Sequence, residues 1–211
     1  MGGRRRHFVL VHGLCHGAWC WYKVATALES SGHRVTALDL PACDVTSSFD
    51  EYSRPLLHAV AAAPPGEKVV LVGHSFGGHS LALAMQAHPE KVAVAVFVAA
   101  PMPAAGRPMA MVLEQDLTLA KMLVRPAQMF LRDEAMTGEN VLTEAKYGTV
   151  SRVFVVAEED RTWPAEEQRQ VAASCGPGVE VRAIGGADHM PMFSKPQELA
   201  QLIMEIAEKY N

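Results

Sequence analysis

The stretch Val69-Val70-Leu71-Val72-Gly73-His74-Ser75-Phe76-Gly77-Gly78 decides the fold of this chain of 211 residues. Its Val and Leu residues predict a strand buried on both faces, as in a parallel sheet covered by helices. The glycines remove Cβ groups where the strand turns sharply into a helix, and Ser75 lies at the tip of that turn. A serine presented in this way is a candidate nucleophile. The alternative is a glycine-rich turn with an idle serine, because G-x-S-x-G also arises by chance.

Short β-branched runs alternate with longer helical patterns on both sides of this stretch, which favours an α/β fold with a mostly parallel sheet of about six strands flanked by helices. The predicted strands cover residues 7–11, 33–38, 68–73, 92–99, 152–156 and 179–183. The predicted helices cover residues 19–30, 49–63, 78–88, 164–173 and 196–210. Residues 101–150 interrupt the alternation and contain one amphipathic pattern, over 116–124. We therefore predict a core of residues 1–100 and 151–211 with an insertion between them.

The composition excludes several classes of protein. Hydrophobic residues make up 49% and charged residues 20%, which is typical of a globular domain and not of a disordered chain. A formal net charge of −4 gives no general attraction to nucleic acid or to an anionic membrane. No apolar stretch reaches the length of a membrane span, and no cleavable signal begins the chain, so we expect a cytoplasmic location. Four cysteines without metal-site spacing predict reduced thiols, no metal and no cofactor.

A serine hydroxyl needs a base to remove its proton and an acid to orient that base. His189 follows the last predicted strand in a glycine-rich loop, where its ring can reach over the carboxyl ends of the strands. Asp160 follows the preceding strand and completes the chain order Ser, Asp, His. Asp188 is the rival acid, but a side chain adjacent to His189 points away from the ring nitrogen Nδ1. Ser75, Asp160 and His189 are therefore the predicted catalytic residues.

The reaction also needs two backbone N–H groups that face the oxyanion. Phe76 supplies one, because it follows the nucleophile at the start of a helix. The loop after the first strand, His12-Gly13-Leu14, is expected to supply the other through Leu14. Three histidines flank this predicted site in supporting positions: His12, His16 and His74.

Several of these motifs together resemble the plant methylesterases and hydroxynitrile lyases, a family with the α/β-hydrolase fold. The resemblance rests on residues 7–13, 15–19, 73–78, 119–126, 147–148 and 187–190. It implies the same triad and the same oxyanion donors, and it places four residues at the substrate: Gly13, Leu14, Phe76 and Met190. The lyases of the family carry Thr in place of Gly13 and Lys in place of Met190, so the resemblance implies an esterase. The esterases of this family act on methyl esters of salicylate, jasmonate or indole-acetate type, in plant hormone metabolism.

The chain departs from this family in the insertion, where some tens of residues are missing. Residues 101–150 are therefore predicted to be a reduced cap, or lid, whose walls define the pocket less completely. The leading hypothesis is a serine carboxylesterase that forms an acyl-serine intermediate, with a small ester or its product acid as the partner. A small-molecule binder or weakly active relative with an impaired lid is the alternative, followed by a hydroxynitrile lyase. Both a monomer and a homodimer are compatible with the sequence.

Overall fold

A computed structural model describes residues 5–41, 48–112, 129–176 and 178–210 of the chain. Within them lie six strands: β1 His7–Val11, β2 Arg34–Leu38, β3 Val69–His74, β4 Val92–Val98, β5 Ser151–Ala157 and β6 Val179–Ile184. The same residues contain seven α-helices: α1 Tyr22–Ser30, α2 Phe49–Ala61, α3 Gly77–Ala87, α4 Glu134–Thr137, α5 Ala165–Ser174, α6 Pro191–Ser194 and α7 Pro196–Lys209.

The six strands form one sheet in the order β2-β1-β3-β4-β5-β6, and every neighbouring pair is parallel. The predicted α/β fold is therefore confirmed, including the number of strands. The first predicted helix was placed too early: residues Ala18–Trp21 form a 3₁₀ turn, and α1 begins only at Tyr22. The helix predicted over 116–124 falls outside the described residues.

Helices cover both faces of the sheet. On one face, α1 and α7 pack against each other and against the apolar side chains of the strands. On the other face lie α2, α3 and α5, together with parts of the segment 101–150. Because both faces are covered, every residue of β3 and β4 is buried, which explains their nearly continuous runs of Val, Leu and Ala.

The strand order reverses between β1 and β3, the point at which the topology of an open parallel sheet creates a crevice. Strands β1 and β3 are neighbours, but the chain leaves β1 towards α1 on one face and β3 towards α3 on the other. In open parallel sheets such a point, at the carboxyl ends of the strands, is where ligands bind. Val11 pairs with Gly73 in the register of the two strands, so the loop after β1 begins beside His74 and Ser75.

The described part of the insertion is anchored to the second face of the sheet. It contains a 3₁₀ turn at Met109–Val112, the short helix α4 and a second 3₁₀ turn at Tyr147–Thr149. Gln86, near the end of α3, accepts hydrogen bonds from the backbone N–H groups of Thr143 and Tyr147 at 2.9 and 3.3 Å. None of the helices in the described ranges is long and apolar enough to cross a membrane.

Candidate active site

Ser75 lies in a strained turn between β3 and α3. Its φ of 49° belongs to the left-handed region that non-glycine residues avoid. The turn is held by the bond from the Ser75 N–H to the carbonyl of Val98, at 3.3 Å. A Cβ on Gly77 would lie 2.8 Å from the His12 carbonyl oxygen, and one on Gly78 would collide with the carbonyl oxygen of Pro101. The two glycines therefore allow the backbones to approach closely. This approach holds the half-buried Ser75 at the carboxyl end of β3.

The structure brings two of the predicted catalytic side chains into direct contact. Nδ1 of His189 lies 2.7 Å from Oδ2 of Asp160. The Asp160 side chain is fully buried, whereas that of His189 is 23% exposed and so remains open towards the crevice. Two backbone bonds bring the loops together, because Glu158 and Glu159 donate to carbonyls in or after β6, those of Ile184 and Ala187.

Asp160 is held by a complete set of donors. Its Oδ1 accepts the backbone N–H groups of Thr162 and Trp163 at 2.8 and 2.9 Å. Its Oδ2 accepts from the side-chain amide of Gln168 at 3.1 Å and from His189. An ionised carboxylate is an acceptor only, so Nδ1 of His189 carries the proton and Nε2 keeps a free lone pair. That tautomer is the one a general base requires.

Gln168 is the supporting residue that sequence reasoning missed. It is fully buried in α5, and its amide oxygen also accepts the Ala157 N–H at 3.0 Å, which ties the helix to the end of β5. Its amide nitrogen donates to the Trp163 carbonyl at 2.7 Å. A sequence signal was available. Gln168 lies three positions before Val171 and four before Ala172, so a helix places all three on the same buried face.

Asp188, the rival acid, faces another way. Its Oδ1 accepts the Met190 N–H at 2.9 Å and the Ser194 hydroxyl at 2.8 Å. The side chain therefore stabilises the turn between the His189 loop and α6. The structure thus gives Asp160 the contact that orients the imidazole.

His74 connects the nucleophile strand to the loop of the base. Its Nε2–H donates to the backbone carbonyl of His189 at 2.7 Å, and the two rings lie 5.0 Å apart. Burial, followed by the nearby His189, lowers the pKa of His74 to about 3, so the ring is neutral. Its Nδ1 is buried without a partner among the described residues. His74 was predicted only to flank the site, and the structure shows that its ring holds the backbone of the His189 loop.

The loop after β1 lies directly against the nucleophile. A Cβ on Gly13 would be 2.9 Å from the Cβ of Ser75. In the part of the chain that the structure describes, the backbone N–H groups of Leu14 and Phe76 donate to no protein acceptor. Phe76 also precedes the first residue of α3, where the helix dipole favours negative charge. Both predicted oxyanion donors thus have a free N–H beside the crevice.

Apolar side chains border these groups. Leu14 is half-buried against the core on the α2 and α3 face, and the buried Phe76 packs with Phe130 from the insertion. Met190 is half-buried on the α1 and α7 side, next to His189. Within the described residues, a serine in a strained turn, an imidazole whose Nδ1 is bonded to a buried carboxylate and two unpaired backbone N–H groups fit a hydrolase that uses a serine nucleophile.

Comparison with known proteins agrees with this class. The model of the alpha/beta hydrolase family matches residues 8–202. The chain is 47% identical to the probable esterase PIR7A of Oryza sativa subsp. indica, with 98% of each chain covered. It is 40% identical to methyl jasmonate esterase 1 of Vitis vinifera, with both chains covered completely. A crystal structure of polyneuridine aldehyde esterase superposes with a TM-score of 0.86 at 37% identity, covering 97% of this chain and 100% of that one.

The chain belongs to the alpha/beta hydrolase family. The resemblance inferred from its motifs is thereby confirmed. The prediction of a carboxylic ester hydrolase also agrees with the names of these relatives.

Proposed function

We propose that the protein is a serine carboxylesterase that hydrolyses methyl esters of small acids of the salicylate, jasmonate or indole-acetate type. The observation that carries the proposal is the 2.7 Å contact between His189 Nδ1 and Asp160 Oδ2 at the edge of the sheet that also presents the strained Ser75. Because Nδ1–H is committed to Asp160, Nε2 is available to accept the proton of the Ser75 hydroxyl.

The reaction follows from this arrangement. Ser75 Oγ attacks the ester carbonyl while His189 takes its proton, and the oxyanion that forms accepts from the N–H groups of Leu14 and Phe76. Collapse of this intermediate breaks the bond to the methoxy oxygen, and His189 returns the proton, so methanol leaves. Water, deprotonated by His189, then attacks the acyl-serine and releases the acid together with free Ser75.

Two observations support an esterase over a hydroxynitrile lyase. Met190 offers an apolar side chain beside His189, at the position where the lyases carry Lys. Gly13 packs so closely on Ser75 that the Thr of the lyases would require one of the two residues to shift. The name of the grape relative, a methyl jasmonate esterase, supports a methyl ester of a small signalling acid as the substrate and hence a role in plant hormone metabolism.

The proposal includes a reduced cap formed by residues 101–150. The alignment with the rice relative extends over 259 positions and includes 98% of a chain of 211 residues, so it contains gaps of some tens of positions on the side of this chain. A smaller cap gives the acyl group fewer walls, so we expect a broader range of acids than a full lid would admit. We further propose a cytoplasmic enzyme whose partner is the ester or its product acid, as a monomer or a homodimer.

A panel of esters tests the proposal. Purified protein is assayed with methyl salicylate, methyl jasmonate, methyl indole-acetate and p-nitrophenyl acetate, in parallel with Ser75→Ala. We expect turnover by the wild type and a loss of at least about 10³-fold in the variant, because the nucleophile is gone. Unchanged turnover in Ser75→Ala would contradict the proposed nucleophile. Calorimetric binding of a free acid without turnover of any ester would instead support the binding protein with an impaired lid.

A further inference from the structure

His12 is a buried histidine with both ring nitrogens in hydrogen bonds, and the reaction described above does not use it. It is the first residue after β1 and is 2% exposed. Its Nδ1 lies 2.7 Å from the carbonyl oxygen of Gly13. Its Nε2 lies 3.0 Å from the backbone nitrogen of Leu40, which follows β2. The ring therefore connects the predicted oxyanion loop to the end of the neighbouring strand.

The partners determine which nitrogen carries the proton. A backbone N–H can only donate, so Nε2 is the acceptor for Leu40. A carbonyl oxygen can only accept, so Nδ1 carries the hydrogen and donates it to Gly13. Both bonds require the neutral ring, and burial lowers the pKa of His12, which favours that form. The ring thus accepts from the backbone that follows β2 and donates to the oxyanion loop.

The bond to Gly13 determines where the Leu14 N–H points. The Gly13 carbonyl and the Leu14 N–H belong to one planar trans peptide group, in which they point in opposite directions. A carbonyl drawn to His12 consequently turns the N–H of the same group away from His12. Gly13 has no Cβ to restrict this peptide, and the loop continues through Cys15 at a φ of 62°, so the orientation needs an external anchor. His16 holds the next carbonyl, that of Leu14, at 2.8 Å.

We propose that His12 is a positioning residue that aims the Leu14 N–H at the oxyanion through its hydrogen bond to the Gly13 carbonyl. The proposal rests on the proposed function, because it assigns a partner to one of the two oxyanion donors. His12 touches neither the substrate nor Ser75 in this role. Its contribution is made in the transition state, when charge develops on the ester oxygen.

A matched pair of variants separates the two hydrogen bonds. The amide nitrogen of Asn takes the place of Nδ1, so His12→Asn keeps the donor to Gly13 and loses the acceptor for Leu40. The amide oxygen of Gln takes the place of Nε2, so His12→Gln keeps the acceptor for Leu40 and loses the donor to Gly13. We expect His12→Gln to lose about 10- to 100-fold in kcat at a KM within about twofold, and His12→Asn to retain kcat within about fivefold.

Thermal unfolding of both variants provides the comparison with a purely structural role. If His12 only fills the core, the two variants lose kcat equally, in proportion to their loss of folded protein. A kcat of His12→Gln equal to that of the wild type, or equal losses in Asn and Gln, would overturn the proposal.

A second readout separates this proposal from the proposed function. A p-nitrophenyl phosphonate reacts with an activated serine and directs its phosphoryl oxygen to the same N–H groups, but it requires no ester turnover. We expect the rate constant of phosphonylation to fall in His12→Gln and to be largely kept in His12→Asn. A wild type that is phosphonylated but hydrolyses no ester would contradict the proposed function alone, and the ratio of these rates would still decide about His12. A wild type that is not phosphonylated would overturn both.

Discussion

The carboxyl edge of the sheet and the segment 101–150 are held in place by different kinds of contact. At the edge, backbone bonds join the neighbouring strands and loops that carry the site: Ser75 donates to Val98, Ala99 to Val155 and Glu159 to Ala187. The described part of the insertion depends more on side chains. Asp133 accepts the N–H of Phe49 at the start of α2, and Tyr147 donates its hydroxyl to the Pro103 carbonyl at 2.6 Å.

This difference has a consequence for how the two regions change. Backbone bonds survive most substitutions, because every residue except proline carries the same groups. Contacts made by side chains are lost when one residue is replaced, so the insertion can shorten or diverge while the backbone bonds between the strands at the sheet edge are kept. We therefore expect the edge to determine the reaction and the insertion to determine the choice of acid.

The largest effect is expected at the sheet edge, from Asp160→Asn. The Asn amide cannot accept from all four donors that surround the Asp160 carboxylate, and it favours the His189 tautomer with the proton on Nε2. We expect kcat to fall by about 10⁴-fold, the size of effect known for this exchange in serine hydrolases with a triad. Steady-state kinetics with p-nitrophenyl acetate measures it.

Asp188→Asn is the matched control for this prediction. It makes the same chemical change next to His189, but among the described residues Asp188 accepts from Met190 and Ser194, in a turn, and not from His189. We expect kcat to change by less than about threefold, because the amide oxygen of Asn can still accept from both donors in this exposed turn. A larger effect from Asp188→Asn than from Asp160→Asn would assign the orienting acid to Asp188.

The second prediction compares, under acid, a buried histidine at the sheet edge with a buried histidine of α3 that contacts the segment 101–150. Burial lowers the pKa of His74, at the sheet edge, to about 3, and that of His79, whose Nε2–H donates to the Met109 carbonyl at 3.2 Å, to about 4. Both pKa values lie below the ordinary 6.5, so the unfolded chain binds more protons than the folded one below that pH. The contribution of each neutral ring to the free energy of unfolding is therefore complete above pH 6.5. It is lost as the pH falls, by up to about 1.4 kcal/mol per pH unit for each ring.

Urea unfolding between pH 7 and pH 5 tests this acid dependence. His74→Gln and His79→Gln should each make the free energy of unfolding less steep with pH, because one titrating group is removed. Neither variant should change the slope if the two rings do not titrate on unfolding. The exposed His58→Gln in α2 controls for the exchange of residue type.

Most of the fold and the order of the site residues were predictable, whereas the supporting contacts were not. The strand around Val69–His74 and its turn carry local signals: β-branched residues, flanking glycines and one serine. No local sequence signal of comparable strength marks the supporting residues Gln168, Asp133 and His12. The bond from Phe49 to Asp133 joins residues 84 positions apart, and that from Leu40 to His12 joins residues 28 apart. Periodicity indicates which face of an element is buried, but the partner of a polar side chain depends on tertiary structure.

The smallest effect is expected in the insertion, from Asp133→Ala. Asp133 caps α4 through the Ala135 N–H and also accepts the first N–H of α2, so the variant removes two caps at once. Loss of both should cost about 2 kcal/mol of stability, since a helix N-cap contributes about 1 kcal/mol. Phe49, whose N–H loses its acceptor, packs on Phe76 and Phe130, so the apolar wall near the oxyanion loosens. We expect KM to rise severalfold and kcat to change by less than about twofold.

Glu134→Ala is the control for Asp133→Ala, because Glu134 is the adjacent acidic residue in the first turn of α4 and its side chain is exposed. It should leave both KM and stability close to those of the wild type. The decisive measurement determines KM and kcat separately, with the ester that the wild type prefers. If Asp133→Ala lowers kcat as strongly as kcat/KM, the insertion acts on the transition state as well, and the assignment of chemistry to the sheet edge and selectivity to the insertion fails.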